Sequence, residues 1–101
     1  ERAEAEEIYR DCLQHRRELL GDLDPDTTTS MNNLGLLLLE RGKLVESGKL
    51  FVEAFDTAGR TIGWDHPHTQ LFLENLKANR ALRAKAREYA KRRLAKSEGV
   101  E

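Results

Sequence analysis

Apolar residues in this chain fall at helical spacing in four stretches, separated by short breaks that carry glycine or proline. Residues 3–20 place Ala5, Ile8, Tyr9, Cys12, Leu13 and Leu20 on one face at intervals of three, four and seven, the pattern of an amphipathic helix. Gly21 supplies the positive φ that a helix end favours. Asp24 then offers a side-chain cap, and Pro25 occupies a first-turn position where its missing N–H costs nothing. A second helix is therefore predicted from Pro25 to Glu40, with Met31, Leu34 and Leu38 inward and Gly42 at its end. A third spans about 43–62, turning Leu44, Ser47, Leu50, Phe51, Ala54, Phe55, Ala58 and Ile62 inward. Gly63 stops it, and Pro67 opens a fourth.

These elements repeat. The segment Gly21-Asp22-Leu23-Asp24-Pro25-Asp26-Thr27 returns as Gly63-Trp64-Asp65-His66-Pro67-His68-Thr69, with Gly, Pro and Thr at a constant offset of 42. The same offset carries Glu4 to Glu46, Ala5 to Ser47, Ile8 to Leu50, Tyr9 to Phe51, Leu13 to Phe55, Leu20 to Ile62, Asn33 to Asn75 and Leu34 to Leu76. Small replaces small and aromatic replaces aromatic, so two stretches of chain build the same helical hairpin and stack.

The fourth helix departs from this rule. Gly42 has Ala84 as its counterpart, and neither Gly nor Pro occurs between Thr69 and Ser97, which predicts one uninterrupted helix where the earlier repeat turned. Its apolar stripe, Ala78, Leu82, Ala86, Tyr89 and Arg93, is expected to pack on the array, and its polar remainder suits a terminal cap. Charge follows the same division. Of 101 residues, the first forty carry ten acids and four bases, a net of −6, whereas residues 77–101 carry three and nine, a net of +6.

With these motifs in hand, the chain resembles the tetratricopeptide repeat, in the 42-residue-period form found in kinesin light chains. The residues that carry the resemblance are Asp24-Pro25-Asp26-Thr27, Met31-Asn32-Asn33-Leu34-Gly35, Gly42, Ser47, Phe51, Ala54 and Gly63. They are flanked by Ala5, Tyr9 and Cys12 on one side and by His66-Pro67-His68-Thr69 and Leu73-Glu74-Asn75-Leu76 on the other. Beyond that the pattern fails, with Lys77, Arg80 and Ala84 in place of a small residue, a large apolar one and a glycine. The expected architecture is all-α: a short α-solenoid of antiparallel helix pairs with a long C-terminal capping helix. Residues 1–76 form the array and 77–101 a basic extension of the last helix.

The resemblance implies a non-catalytic protein-interaction module, an adaptor or small scaffold subunit, whose first helices line a concave groove. Asn33 and Asn75 fall where the family uses Asn to hold the backbone of an extended peptide; the competing expectation is that they bridge adjacent helices. Asn32, Leu36, Glu40 and Asn79 complete the expected partner-binding set. The implied partner is an extended peptide or a neighbouring subunit within a hetero-complex. A second reading assigns Arg83, Arg87, Lys91, Arg92 and Arg93 to an anionic partner, nucleic acid included, although Tyr89 is the single aromatic among them.

Other chemistries find little purchase. Asp22, Asp24 and Asp26 alternate like a calcium loop, but Thr27 stands at its sixth position and Asn33 at its twelfth. Cys12 with His15, and His66 with His68, lack further ligands at metal spacing, so neither metal nor cofactor is expected. No phosphate-binding glycine motif and no nucleophile elbow occur, which argues against an enzyme. Leu34–Leu39, the longest apolar run, is far short of the roughly 20 residues a membrane span needs. A single cysteine points to a reducing, intracellular compartment. The first helix reads as the second half of a repeat, so its stripe is expected to be covered by a partner or by residues upstream of Glu1.

Overall fold

A computed structural model describes residues 2–99, and among them there are four helices: α1 (Arg2–Leu20), α2 (Pro25–Glu40), α3 (Leu44–Thr61) and α4 (Pro67–Ser97). Each helix packs on the next, and α2 also touches α4, the arrangement of stacked antiparallel pairs. The molecule measures 55 × 33 × 17 Å, elongated because α4 alone is 31 residues.

The two repeated corners are built alike. Gly21 and Gly63 adopt φ of +87° and +103°, a region where an L side chain is strained. Asp24 and His66 then cap the following helices with nearly the same backbone, φ −70°, ψ 138° and φ −63°, ψ 140°. Asp24 Oδ1 accepts from the N–H of Asp26 at 2.8 Å, and His66 Nδ1 accepts from that of His68 at 3.0 Å. Thr27 and Thr69, both fully buried, tie each corner back by donating to Arg16 O and Gly63 O. An exposed carboxylate and an imidazole thus perform one task at equivalent positions.

The centre of the core is the α2–α3 interface. Met31, Leu34 and Leu38 of α2 meet Leu50, Phe51, Ala54 and Ala58 of α3, with Leu13 and Phe72 closing the two sides. Phe51 lies flat on the backbone of Gly35: a Cβ added at position 35 would stand 2.7 Å from its ring. One turn away the Ser47 hydroxyl donates to the Gly35 carbonyl at 2.9 Å, so the small residues of both helices serve one close approach.

Two expected stripes do not pack. Ile8 is 63% and Tyr9 42% exposed, and Leu20 is exposed as well; only Leu13 of that set is buried, because α1 has a helix on one side alone. On α4 the buried line is Thr69, Phe72, Leu76 and Asn79, continued by half-buried Arg83. Ala78, Leu82, Ala86, Tyr89 and Arg93, expected to face the array, are all exposed. The reason is rotational: α3 lies against the line through Phe72 and Leu76, about 100° around the helix from Leu82. From Ala84 to Leu94 every residue is exposed, so roughly the last 20 Å of α4 projects past the array.

The Phe51–Gly35 contact leaves no room for a methyl group. Gly35→Ala is expected to lower stability by about 1–3 kcal/mol, the usual cost of overpacking, read as a reduced urea midpoint by circular dichroism. Lys77→Gly, the same repeat position on the open side of α4, should cost less, no more than the helix-propensity loss of about 1 kcal/mol.

Candidate functional site

Along α2 the residues Thr29, Asn33, Leu36 and Glu40, spaced by four, three and four, form one exposed line opposite the core. Asn33, Leu36, Leu37 and Glu40 share a shallow groove of about 210 Å³ with Tyr9 of α1. The groove offers an amide, a carboxylate, a phenol and two leucines. That mixture suits a peptide whose backbone is held by hydrogen bonds and whose side chain enters an apolar recess.

The remaining asparagines are spent internally. Asn75 Nδ2 donates to Asn32 Oδ1 at 2.8 Å, tying α4 to α2. Asn79, fully buried one turn further along α4, donates from Nδ2 to Leu44 O at 2.9 Å and to Ser47 Oγ at 3.3 Å. Of the six residues expected to contact a partner, then, Asn33, Leu36 and Glu40 come together in the groove. Asn32 and Asn75 form the helix bridge beside it, and Asn79 lies in the α3–α4 interface. The sequence missed Tyr9 and Leu37 as groove residues. The 42-residue offset could have pointed to Tyr9, since Phe51 at the equivalent position has a helix to cover and Tyr9 has none.

Electrostatics divide the molecule. Glu6 is buried and receives Arg10 through Nε and Nη2 at 3.0 and 2.8 Å, Arg41 at 2.9 Å and Lys43 at 3.1 Å. Arg10 also pairs with Glu46, and one heptad on Arg17 pairs with Glu53 at 2.8 and 3.0 Å. These two rungs, each spanning 36 residues of sequence, join α1 to α3, whose backbones do not come into direct contact. Exposed pairs of this kind contribute less than about 1 kcal/mol each, so the rungs chiefly set the register of the two helices. Hydrogen bonds from Arg10, with Lys43 next in weight at Glu6, hold the Glu6 and Glu46 carboxyls below the ordinary carboxylate range. The same contacts raise Arg10, Glu46 contributing most, and Glu53 raises Arg17.

The acids considered as metal ligands are engaged too: Asp22 pairs with Arg17 at 2.8 Å and Asp24 caps α2. Cys12 Sγ rests 3.8 Å from Ser30 Oγ in a packing position. By contrast the cations of α4 stand largely alone. Among the described residues Arg83, Arg87, Lys91 and Arg93 form no ion pair, and Arg92 meets Glu88 only at 3.9 Å. Arg83, Arg87 and Lys91 share one edge of the helix at intervals of four, while Arg92 and Arg93 lie around to the other side.

A tetratricopeptide repeat family model matches residues 1–59, more than half the chain, covering α1, α2 and nearly all of α3. The chain belongs to the tetratricopeptide repeat family. A search of curated proteins finds no match. Tetratricopeptide repeats generally mediate protein–protein interaction and are typically non-catalytic. Within the repeat array the equivalence of the two corners, the small residues at the α2–α3 contact and the exposed line on α2 acquire a common sense, since they build and present one stacking unit. No helix among the described residues is long and apolar enough to cross a membrane.

The acid side of the stability curve tests the cluster at Glu6. Both carboxyls titrate below their ordinary value of 4.5, so their stabilisation is complete above that value and is lost as pH falls through the depressed folded values. Arg10→Gln should therefore lose stability near neutrality and show a smaller further loss than the wild type between about pH 6 and about pH 3. Urea midpoints measured across that range check it.

Proposed function

We propose that this tetratricopeptide array, of the kinesin-light-chain-like kind, works as an adaptor or small scaffold subunit that holds a protein partner on its concave face. Residues 1–76 supply the array and 77–101 the basic extension. The supporting observation is the groove at Tyr9, Asn33, Leu36, Leu37 and Glu40. The Asn33 amide is exposed there, whereas its repeat equivalent Asn75 is committed to Asn32. An extended segment of a neighbouring subunit fits this chemistry: Asn33 bonds its backbone without demanding a particular side chain, and Leu36 and Tyr9 cover an apolar residue. The exposed stripe of α4, Ala78, Leu82, Ala86 and Tyr89, follows on from Asn75 along the helix and lengthens the surface on offer. A reducing compartment suits Cys12, packed against Ser30.

A second reading keeps the extension as the working part. The unpaired cations Arg83, Arg87, Lys91 and Arg93 on a projecting helix suit a nucleic-acid backbone or another anionic surface. That reading requires binding to fall steeply with salt and to be lost in Arg92→Ala/Arg93→Ala.

Crosslinking pull-down from native extract identifies the partner, and titration of the purified pair then tests the groove. Asn33→Ala/Leu36→Ala is expected to weaken the partner by at least about tenfold, or about 1.4 kcal/mol, with helicity by circular dichroism unchanged. Affinity unaltered by this pair and abolished by Arg92→Ala/Arg93→Ala instead assigns the work to the basic helix.

A further inference from the structure

The repeat offset exposes a difference between the two hairpin junctions. It carries Glu6 to Gly48, Arg41 to Arg83 and Lys43 to Lys85. At the first junction Glu6 pairs with both cations. At the second Arg83 still faces position 48, Lys85 is carried around the uninterrupted α4, and the carboxylate is gone. A Cβ at position 48 would stand 3.5 Å from Arg83 Nη1 and 2.8 Å from Asn79 Oδ1. That oxygen belongs to a fully buried side chain and has no hydrogen-bond partner.

An open groove of about 310 Å³ lies at this place on the outer side of α3 and α4. Val45, Val52 and Leu76 provide its apolar wall and Lys49, Arg80 and Arg83 its charge. None of those three cations has an ion-pair partner among the described residues. The equivalent surface of the first hairpin is the one that α3 covers, where Leu34 and Leu38 are buried.

We propose that this groove receives α1 of a second copy of the chain, so that copies stack head to tail. Helix α1 is the repeat counterpart of α3, with Glu4 and Asp11 at the positions of Glu46 and Glu53, the carboxylates by which α3 reaches across to Arg10 and Arg17. Val52 and Gly59 stand in the places of those two arginines, so the receiving cations here are Lys49, Arg80 and Arg83. Glu4, Glu7 and Asp11 are exposed and form no ion pair among the described residues, and Ile8 and Tyr9 beside them are uncovered. One end of the array therefore presents unpaired acids with exposed apolar side chains, and the other presents unpaired bases with an apolar wall. Glu4 of the incoming copy supplies the negative charge that Gly48 no longer carries opposite Arg83. Lys77 and Arg80, in the places of Gly35 and Leu38, keep the incoming helix from the close approach of Phe51 to Gly35. The contact is accordingly governed by charge, and salt weakens it. Each contact joins two different faces and leaves one of each free, so stacks lengthen with concentration.

Sedimentation equilibrium of the full chain from roughly 5 µM to roughly 500 µM at low salt is the test. The weight-average mass should at least double across that range and return to the monomer value in about 1 M salt. Arg80→Glu/Arg83→Glu and Glu4→Lys/Asp11→Lys should each remain monomeric, with helicity checked by circular dichroism. Mixing the two should restore association, because every junction is again between opposite charges. A wild-type chain that stays monomeric throughout overturns the proposal, as does association that survives either charge reversal or a mixture that fails to assemble. A chain that remains monomeric and gains mass only with an added acidic helical peptide assigns the groove to a different protein and equally overturns stacking. None of the four substituted residues lines the Asn33 groove, so failure here leaves the peptide-binding reading standing.

Discussion

The close approach of α2 and α3 is the constraint on which the rest of the molecule depends. Phe51 seats on the bare backbone of Gly35, and Ser47 hydrogen-bonds the Gly35 carbonyl. These contacts bring the two helices near enough for Met31, Leu38 and Ala54 to be excluded from water entirely. Both outer helices depend on that pair. α1 docks on the remaining side of α2 through Leu13, and α4 on the remaining side of α3 through Phe72 and Leu76. An array of four stacked helices, two of them half-covered, has little core to spare, because α1 and α4 each bury one stripe and leave the other wet.

Much of this was legible in the sequence, and the reasons are local. Gly-to-Pro-to-Thr corners fix chain reversal through φ, capping and a buried hydroxyl, and those effects need no tertiary information. Helix limits at Pro25, Glu40, Pro67 and Ser97 followed from such signals alone. The uninterrupted α4 followed from the absence of a breaker at Ala84. What periodicity could not decide is which apolar stripe meets a neighbour. On α4 two lines compete, one through Phe72 and Leu76 and one through Leu82 and Tyr89. Only the direction in which α3 arrives selects the first. On α1 the stripe through Ile8 and Tyr9 is amphipathic, yet no helix among the described residues covers it, so burial could not be read from pattern.

The site shows the same boundary between local and tertiary information. Asn32 and Asn33 are adjacent in sequence and similar in chemistry, yet a 100° turn of the helix separates an internal bridge from an exposed amide. Asn79 is more instructive. It shares its face with Phe72 and Leu76 and is fully buried, its Nδ2 donating to the Leu44 carbonyl at the start of α3 while its Oδ1 has no hydrogen-bond partner. That carbonyl lies in the first turn of α3, so the contact exists only once α4 is stacked on α3.

Charge in a repeat protein has a further consequence, because position is conserved while partners are not. The first junction pairs Arg10, Arg41 and Lys43 with Glu6 and Glu46 within the chain. The second keeps the counterparts of Arg41 and Lys43 but replaces the counterparts of Arg10 and Glu6 by Val52 and Gly48. A paired junction spends its charges on contacts within the chain. An unbalanced one leaves both a cavity and a field, and the unlike excess of acid lies at the far end of the same array. An excess of one sign at each end of the described array gives it polarity, and polarity favours a neighbour of complementary charge over one of like charge.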